Sequence, residues 1–253
     1  MVTQVQTTRS SEIIYPDSDG LPMAENTVQF RWILVIQQNL AWLFANETVF
    51  VAGDLSWYPV EGRPDIKKAP DVMVAFGRPR GDRGSYKQWE EDNIPPQVVF
   101  EILSPGNPET EMARKLLFYD RFGVEEYYVY DPETNNLQVW LRGELGLDAS
   151  PVETEWVSPR LNVRFEITEN DLILYRPDGQ RFLTYEEISQ QLETQQQQLE
   201  TQQQQLERER QRADRAEQAK LDAVSQLLAM GLTPEQIARA LGLTEDEVKQ
   251  ARP

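Results

Sequence analysis

Three side chains set far apart in this sequence could do chemistry together. They are an aspartate directly behind a proline (Asp71, in "APD", 69–71), a glutamate inside an apolar run (Glu101, in "VVFEILSP", 98–105) and a lysine on the next segment (Lys115). In an extended chain Val98, Val99, Phe100, Ile102 and Leu103 are apolar on both faces, which suits a central strand covered from both sides. Glu101 breaks that run. An ionised carboxylate is costly to remove from water unless it is paired or bound to a metal. Asp71 opens a strand expected to neighbour 98–103, and Lys115 lies on the helix that follows Glu101 and packs back on the sheet. Two carboxylates and an ammonium suit phosphoryl chemistry. The acids hold a hard divalent cation, and the lysine orients a water or offsets charge at phosphorus. Glu111, one turn before Lys115, is a weaker candidate for the same place, and Ser104 reads as a turn residue rather than a nucleophile.

Composition leaves this chemistry in play and removes its main competitors. The 253 residues include no histidine and no cysteine. That excludes serine–histidine and cysteine–histidine nucleophilic machinery, zinc sites built on those ligands, and disulfides. A cysteine-free chain with no apolar core of a secretory signal near its start fits a cytoplasmic location. No run approaches the roughly 18 apolar residues of a membrane span. The formal charge of −17 opposes broad attraction to nucleic acid. A locally basic stretch at 63–87, with Arg63, Lys67, Lys68, Arg78, Arg80, Arg83 and Lys87, softens that opposition, unless it is an ordinary solvated loop.

The elements that would position these residues can be read from periodicity. Phe30, Leu34, Ile36, Leu40, Trp42 and Leu43 predict a helix over about 23–45. Strands are expected at 48–60, 69–76 and 98–103, with a polar, glycine-rich stretch at 77–95 between the last two. A helix follows from Glu109 to Phe122, stopped by Gly123. "EEYYVYDP" is then a strand whose tyrosines read as core, and "NLQVWLRG" completes a hairpin. Short strands in "RLNVRFEIT" and "LILYRPDG" close the domain near residue 182. Helix, three strands, helix, strand makes a mixed α/β sheet.

The ordered segments "YPDSDGLPMAENT", "APD", "VVFEILSP" and "KLLFYDRFGVEEYYVYDP" (115–132) resemble the Uma-type putative restriction endonuclease family of the PD-(D/E)xK nuclease superfamily, over roughly 12–182. The resemblance implies an αβββαβ core and magnesium- or manganese-dependent hydrolysis of DNA phosphodiester bonds. By position it makes Asp71 and Glu101 metal ligands and Lys115 the catalytic ammonium. Glu25, the acid opening the first helix, would join the catalytic and metal shell. One departure is plain: the superfamily lysine, expected two residues after the strand acid, is Leu103 here. The resemblance implies that its role has moved to Lys115.

Beyond residue 185 the character changes. "LETQQQQLETQQQQLERERQR" repeats every seven residues with Leu192, Leu199 and Leu206 in phase, a coiled-coil spacing weakened by Gln195 and Gln202 at the second apolar position. A coiled-coil helix over 186–230 would pair two copies through 188–230, unless the glutamine-rich run is a frayed or lone helix, and 231–253 reads as a short helical hairpin capped by Thr233 and Thr244. That hairpin resembles bacterial helix-turn-helix segments but carries little positive charge. Two rival readings differ in class. A catalytically idle nuclease fold could serve as a coiled-coil scaffold, which the net charge favours. A glycosidase-type carboxylate pair would work without metal and have no use for Lys115.

Overall fold

A computed structural model describes residues 13–17, 24–106 and 109–250. Residue 12 at the expected domain start, residues 18–23 of "YPDSDGLPMAENT" and residues 251–253 of the expected hairpin lie outside the described residues.

The first helix, α1, runs Thr27–Leu43, shorter at both ends than the apolar pattern predicts. Asn26 sets the start: its backbone is extended and its side chain accepts the Gln29 N–H at 2.9 Å. The buried stripe is Gln29, Trp32, Ile33, Ile36 and Leu40, at strict i, i+3, i+4 spacing. Phe30 and Trp42, expected in that stripe, are 41% and 62% exposed, and the Trp42 ring instead receives the Arg176 guanidinium. Apolar type alone did not decide the face; packing against the sheet did.

Eleven strands follow among the described residues: β1 (Val49–Gly53), β2 (Trp57–Tyr58), β3 (Val72–Phe76), β4 (Tyr86–Lys87), β5 (Val98–Ile102), β6 (Glu126–Asp131), β7 (Asn136–Arg142), β8 (Leu147–Ser150), β9 (Glu155–Val157), β10 (Arg164–Ile167) and β11 (Leu172–Tyr175). The main sheet has the order β1-β3-β5-β6-β7-β8. β5 pairs antiparallel with β3 and parallel with β6, so it is an interior strand. The parallel step requires a crossover, and helix α2 (Glu109–Arg121) supplies it. Gly123 ends that helix at φ 91°, and the Val124 N–H bonds back to the Tyr119 carbonyl at 3.1 Å. A Cβ at 123 would also lie 3.3 Å from Pro95 Cγ, so only glycine suits the turn.

Both faces of the sheet are covered. One face packs Val98, Phe100 and Ile102 against the α1 stripe and the separate β11-β10-β9 sheet. The other packs Val99, Tyr127 and Val129 against α2 and the short β2–β4 pair. This explains why β5 is apolar on both sides. β8 and β9 are strands that the sequence pattern does not announce. Their residues are short, half-exposed runs whose strand state depends on pairing with β7 and β10.

The chain divides into two compact units between Tyr185 and Glu186. The second unit holds the 45-residue helix α3 (Tyr185–Ala229) from its second residue onward, with α4 (Pro234–Leu241) and α5 (Glu245–Gln250). Val224, Ile237, Ala238 and Val248 form its small core. Thr233 and Gln236 make a capping box, and Gly242 joins α4 to α5 at φ 67°. Leu192, Leu199 and Leu206 are 63%, 55% and 56% exposed along α3. Among the described residues no helix is long and apolar enough to cross a membrane.

Candidate functional site

Glu101 lies on β5 on the face covered by α2, and it is 1% exposed. Lys115 and Tyr119 sit one turn apart on α2, so both reach the same point on the sheet. The Lys115 ammonium bonds Glu101 Oε2 at 2.7 Å, and the Tyr119 hydroxyl donates to Oε1 at 2.5 Å. Each oxygen of the buried carboxylate therefore has its own donor.

Asp71 precedes β3 next to buried Pro70, beside the Val72–Phe100 register pair. It is 8% exposed, and its Oδ2 accepts the Ile102 N–H at 2.6 Å. The side chain thus ties the end of β5 where the β3 ladder stops. Its carbonyl accepts the Asp54 N–H at 3.2 Å, from a residue at φ 47° that closes β1.

The electrostatics link these groups. Burial pushes the Asp71 carboxyl well above the usual range, and the Glu101 charge pushes it further; Lys115 and the Ile102 N–H oppose both. Burial lowers Lys115, but the charges of Glu101 and Asp71 outweigh it, so the ammonium is held more tightly than in water. The Tyr119 hydroxyl is driven well upward by burial and by Glu101, so it stays a donor. Two ionised acids facing one ammonium would leave a buried negative charge uncompensated, and the upward shift of Asp71 expresses that cost.

That surplus, and the donor set itself, fit a hard divalent cation. Asp71 Oδ1 accepts no hydrogen bond from a described residue. The Tyr127 hydroxyl is buried without a partner among the described residues, in the field of Glu101 and Asp71. A buried hydroxyl of this kind usually meets a water or an ion's hydration shell. Among the described residues no three acidic side chains gather as a metal-holding group. A magnesium-like ion tolerates this, since it commonly takes one or two carboxylates and completes its shell with water and phosphate oxygen.

The structure thus brings Asp71, Glu101 and Lys115 into one place, with Glu25 just ahead of α1. Glu25 is exposed and accepts a hydrogen bond from Ser104 Oγ, just beyond the end of β5. Its N–H bonds Gln29 Oε1, while Gln29 Nε2 bonds the Ile102 carbonyl, both at 2.8 Å. Glu25 and Gln29 therefore hold the start of α1 against the strand end. Glu111 adds a further charge that favours the Lys115 ammonium. Sequence reasoning missed Tyr119 and Tyr127. For Tyr119 the signal was present, as its spacing of four from Lys115 puts both on one helix face.

The locally basic stretch is largely neutralised. Arg78 and Arg83 both bond Glu91, Arg63 bonds Asp65, and Lys87 pairs with Glu90.

A family model described as "Putative restriction endonuclease" (Uma2) matches residues 26–215. Among solved structures the chain is similar to a putative nuclease belonging to DUF820 from Anabaena variabilis. Identity is 16%, over 53% of this chain and 72% of that one, with a TM-score of 0.38. No curated protein matches.

Proposed function

From the premise that this chain belongs to the Uma2 family, described as putative restriction endonucleases, we propose that it is a metal-dependent endonuclease that hydrolyses DNA phosphodiester bonds. The observation that carries the reading is the buried Lys115–Glu101 pair with Asp71 beside it. The order α1, β1, β3, β5, α2, β6 supports a PD-(D/E)xK core, with the lysine moved from the strand to the helix. Asp71 and Glu101 would hold magnesium or manganese through carboxylate oxygen. When bound, such an ion polarises the phosphoryl group and makes a coordinated water more acidic. Lys115 keeps its proton between two carboxylates and presents fixed positive charge to the developing phosphorane. Glu25, held on Ser104, would contribute at the rim.

A second copy of the chain would join through residues 188–230. The exposed leucines at seven-residue spacing support this. So do Arg212 and Glu217, which fall at facing charged positions of a parallel, in-register pair.

The alternative is a catalytically idle nuclease fold acting as a coiled-coil scaffold. It draws support from the −17 charge and from a Glu101 whose two oxygens are already bonded. Plasmid DNA incubated with the full chain and magnesium or manganese separates the two. The nuclease reading expects cleavage that Glu101→Ala and Asp71→Ala abolish with the fold intact, and that Glu25→Ala reduces less. Intact DNA under both metals, with no metal heat in titration calorimetry, would sink it.

A further inference from the structure

Lys115 is the partner of Glu101 that charge considerations single out, yet it holds only one oxygen of the carboxylate. The other is held by Tyr119, from the same face of α2 and one turn further on. A glutamate side chain has three rotatable bonds, and a single ion pair leaves its carboxylate free to swing about the bonded oxygen. Two donors on two oxygens remove that freedom.

Tyr119 is itself immobilised. It has no exposed surface, its ring lies parallel to Trp57 at 6.3 Å, and Tyr127 packs at 5.0 Å on it. Trp57 belongs to β2, which pairs with β4 over this face of the sheet. The hydroxyl is thus carried on a rigid aromatic stack, and no swing of the ring can take it off the carboxylate. A group that only filled core volume would need no hydroxyl here, and phenylalanine would pack as well.

We propose that Tyr119 is a positioning residue, fixing the Glu101 carboxylate in the single orientation that presents it jointly with Asp71. It acts through Glu101 and touches no substrate. This inference rests on the metal-dependent reading above for its consequence, but not for its geometry. Outer partners that orient metal-binding carboxylates typically matter about ten- to a hundredfold in metal affinity or activity.

Tyr119→Phe keeps the ring and removes the hydroxyl. In titration calorimetry of the full chain without DNA, with Asp71→Ala as the blank, the variant should bind manganese about ten- to a hundredfold more weakly. Saturating manganese should then recover much of the cleavage rate. Binding equal to that of the native chain would overturn the proposal. If the native chain binds no manganese, the metal reading fails by itself, and a metal-free double-mutant cycle decides the positioning role. Tyr119→Phe should lower the urea unfolding midpoint when Glu101 is present and leave it unchanged in a Glu101→Ala background. The same loss in both backgrounds would mean that Tyr119 does not act through Glu101.

Discussion

Lys115 and Glu101 form an ion pair of 2.7 Å between the interior strand β5 and the crossover helix α2, with side chains 13% and 2% exposed. Removing one partner from such a pair strands a buried charge, at a cost of about 3–5 kcal/mol, whereas replacing both by apolar groups is often near neutral. Lys115→Met should therefore abolish cleavage and destabilise the chain by about that amount in urea unfolding. Adding Glu101→Met should return most of the stability and none of the activity. A double variant no more stable than the single one would show that the pair is not the source of the loss.

Asp71 should oppose folding at neutral pH. Its carboxyl is raised well above 3.8 by burial first and by Glu101 second, so the native state binds its proton more tightly than the unfolded chain does. Stability is then lost as pH rises from the unfolded value through the folded one, and there is no penalty below about 3.8. With chelator present, Asp71→Asn should be more stable than the native chain at pH 7, and the gain should fade on acidification. A gain independent of pH would contradict this.

Glu91 should behave with the opposite sign. Burial raises its carboxyl, but hydrogen bonds from Arg83 and Arg78 outweigh burial and hold it below the usual range. Its stabilisation is full above about 4.5 and is lost as pH falls through the lower folded value. Glu91→Gln should destabilise the chain at pH 7, by less than the loss of a fully buried pair because Arg78 keeps Asp92, and should loosen the segment from Arg78 to Glu91. The difference from the native chain should shrink in acid. Equal differences at pH 7 and pH 3 would remove the charge from the explanation.

The leucine stripe predicts an assembly. A helix as polar and glutamine-rich as the first half of α3 gains little from propensity alone and needs packing along its apolar stripe. Light scattering should give the full chain twice its 29.3 kDa mass. Leu199→Glu with Leu206→Glu should return it to a single copy with the helices of unit 1 unaffected. A native chain that is monomeric at high concentration would exclude the pairing.

What the residues determined by themselves was local. Val98 to Leu103, apolar on both faces, marked an interior strand because only a strand covered from both sides hides every residue, and β5 is that strand. Gly123 marked the end of α2 because a left-handed residue was needed there. Thr233 and Thr244 marked the hairpin caps, since capping is a matter of four consecutive residues. The lysine missing at position 103 could be sought on α2, because a parallel crossover must return over the sheet. Tertiary structure alone decided the rest. It chose Trp32 and Ile33 over Phe30 and Trp42 as the buried face of α1, and it made strands of residues 147–150 and 155–157 through pairing. It held Glu25 on Ser104, just beyond the end of β5. It also placed the Tyr119 hydroxyl on the second oxygen of Glu101. The physical reason is common to all four. Period and capping are set by neighbours along the chain, whereas a buried carboxylate is completed by donors that meet it only after distant segments have docked.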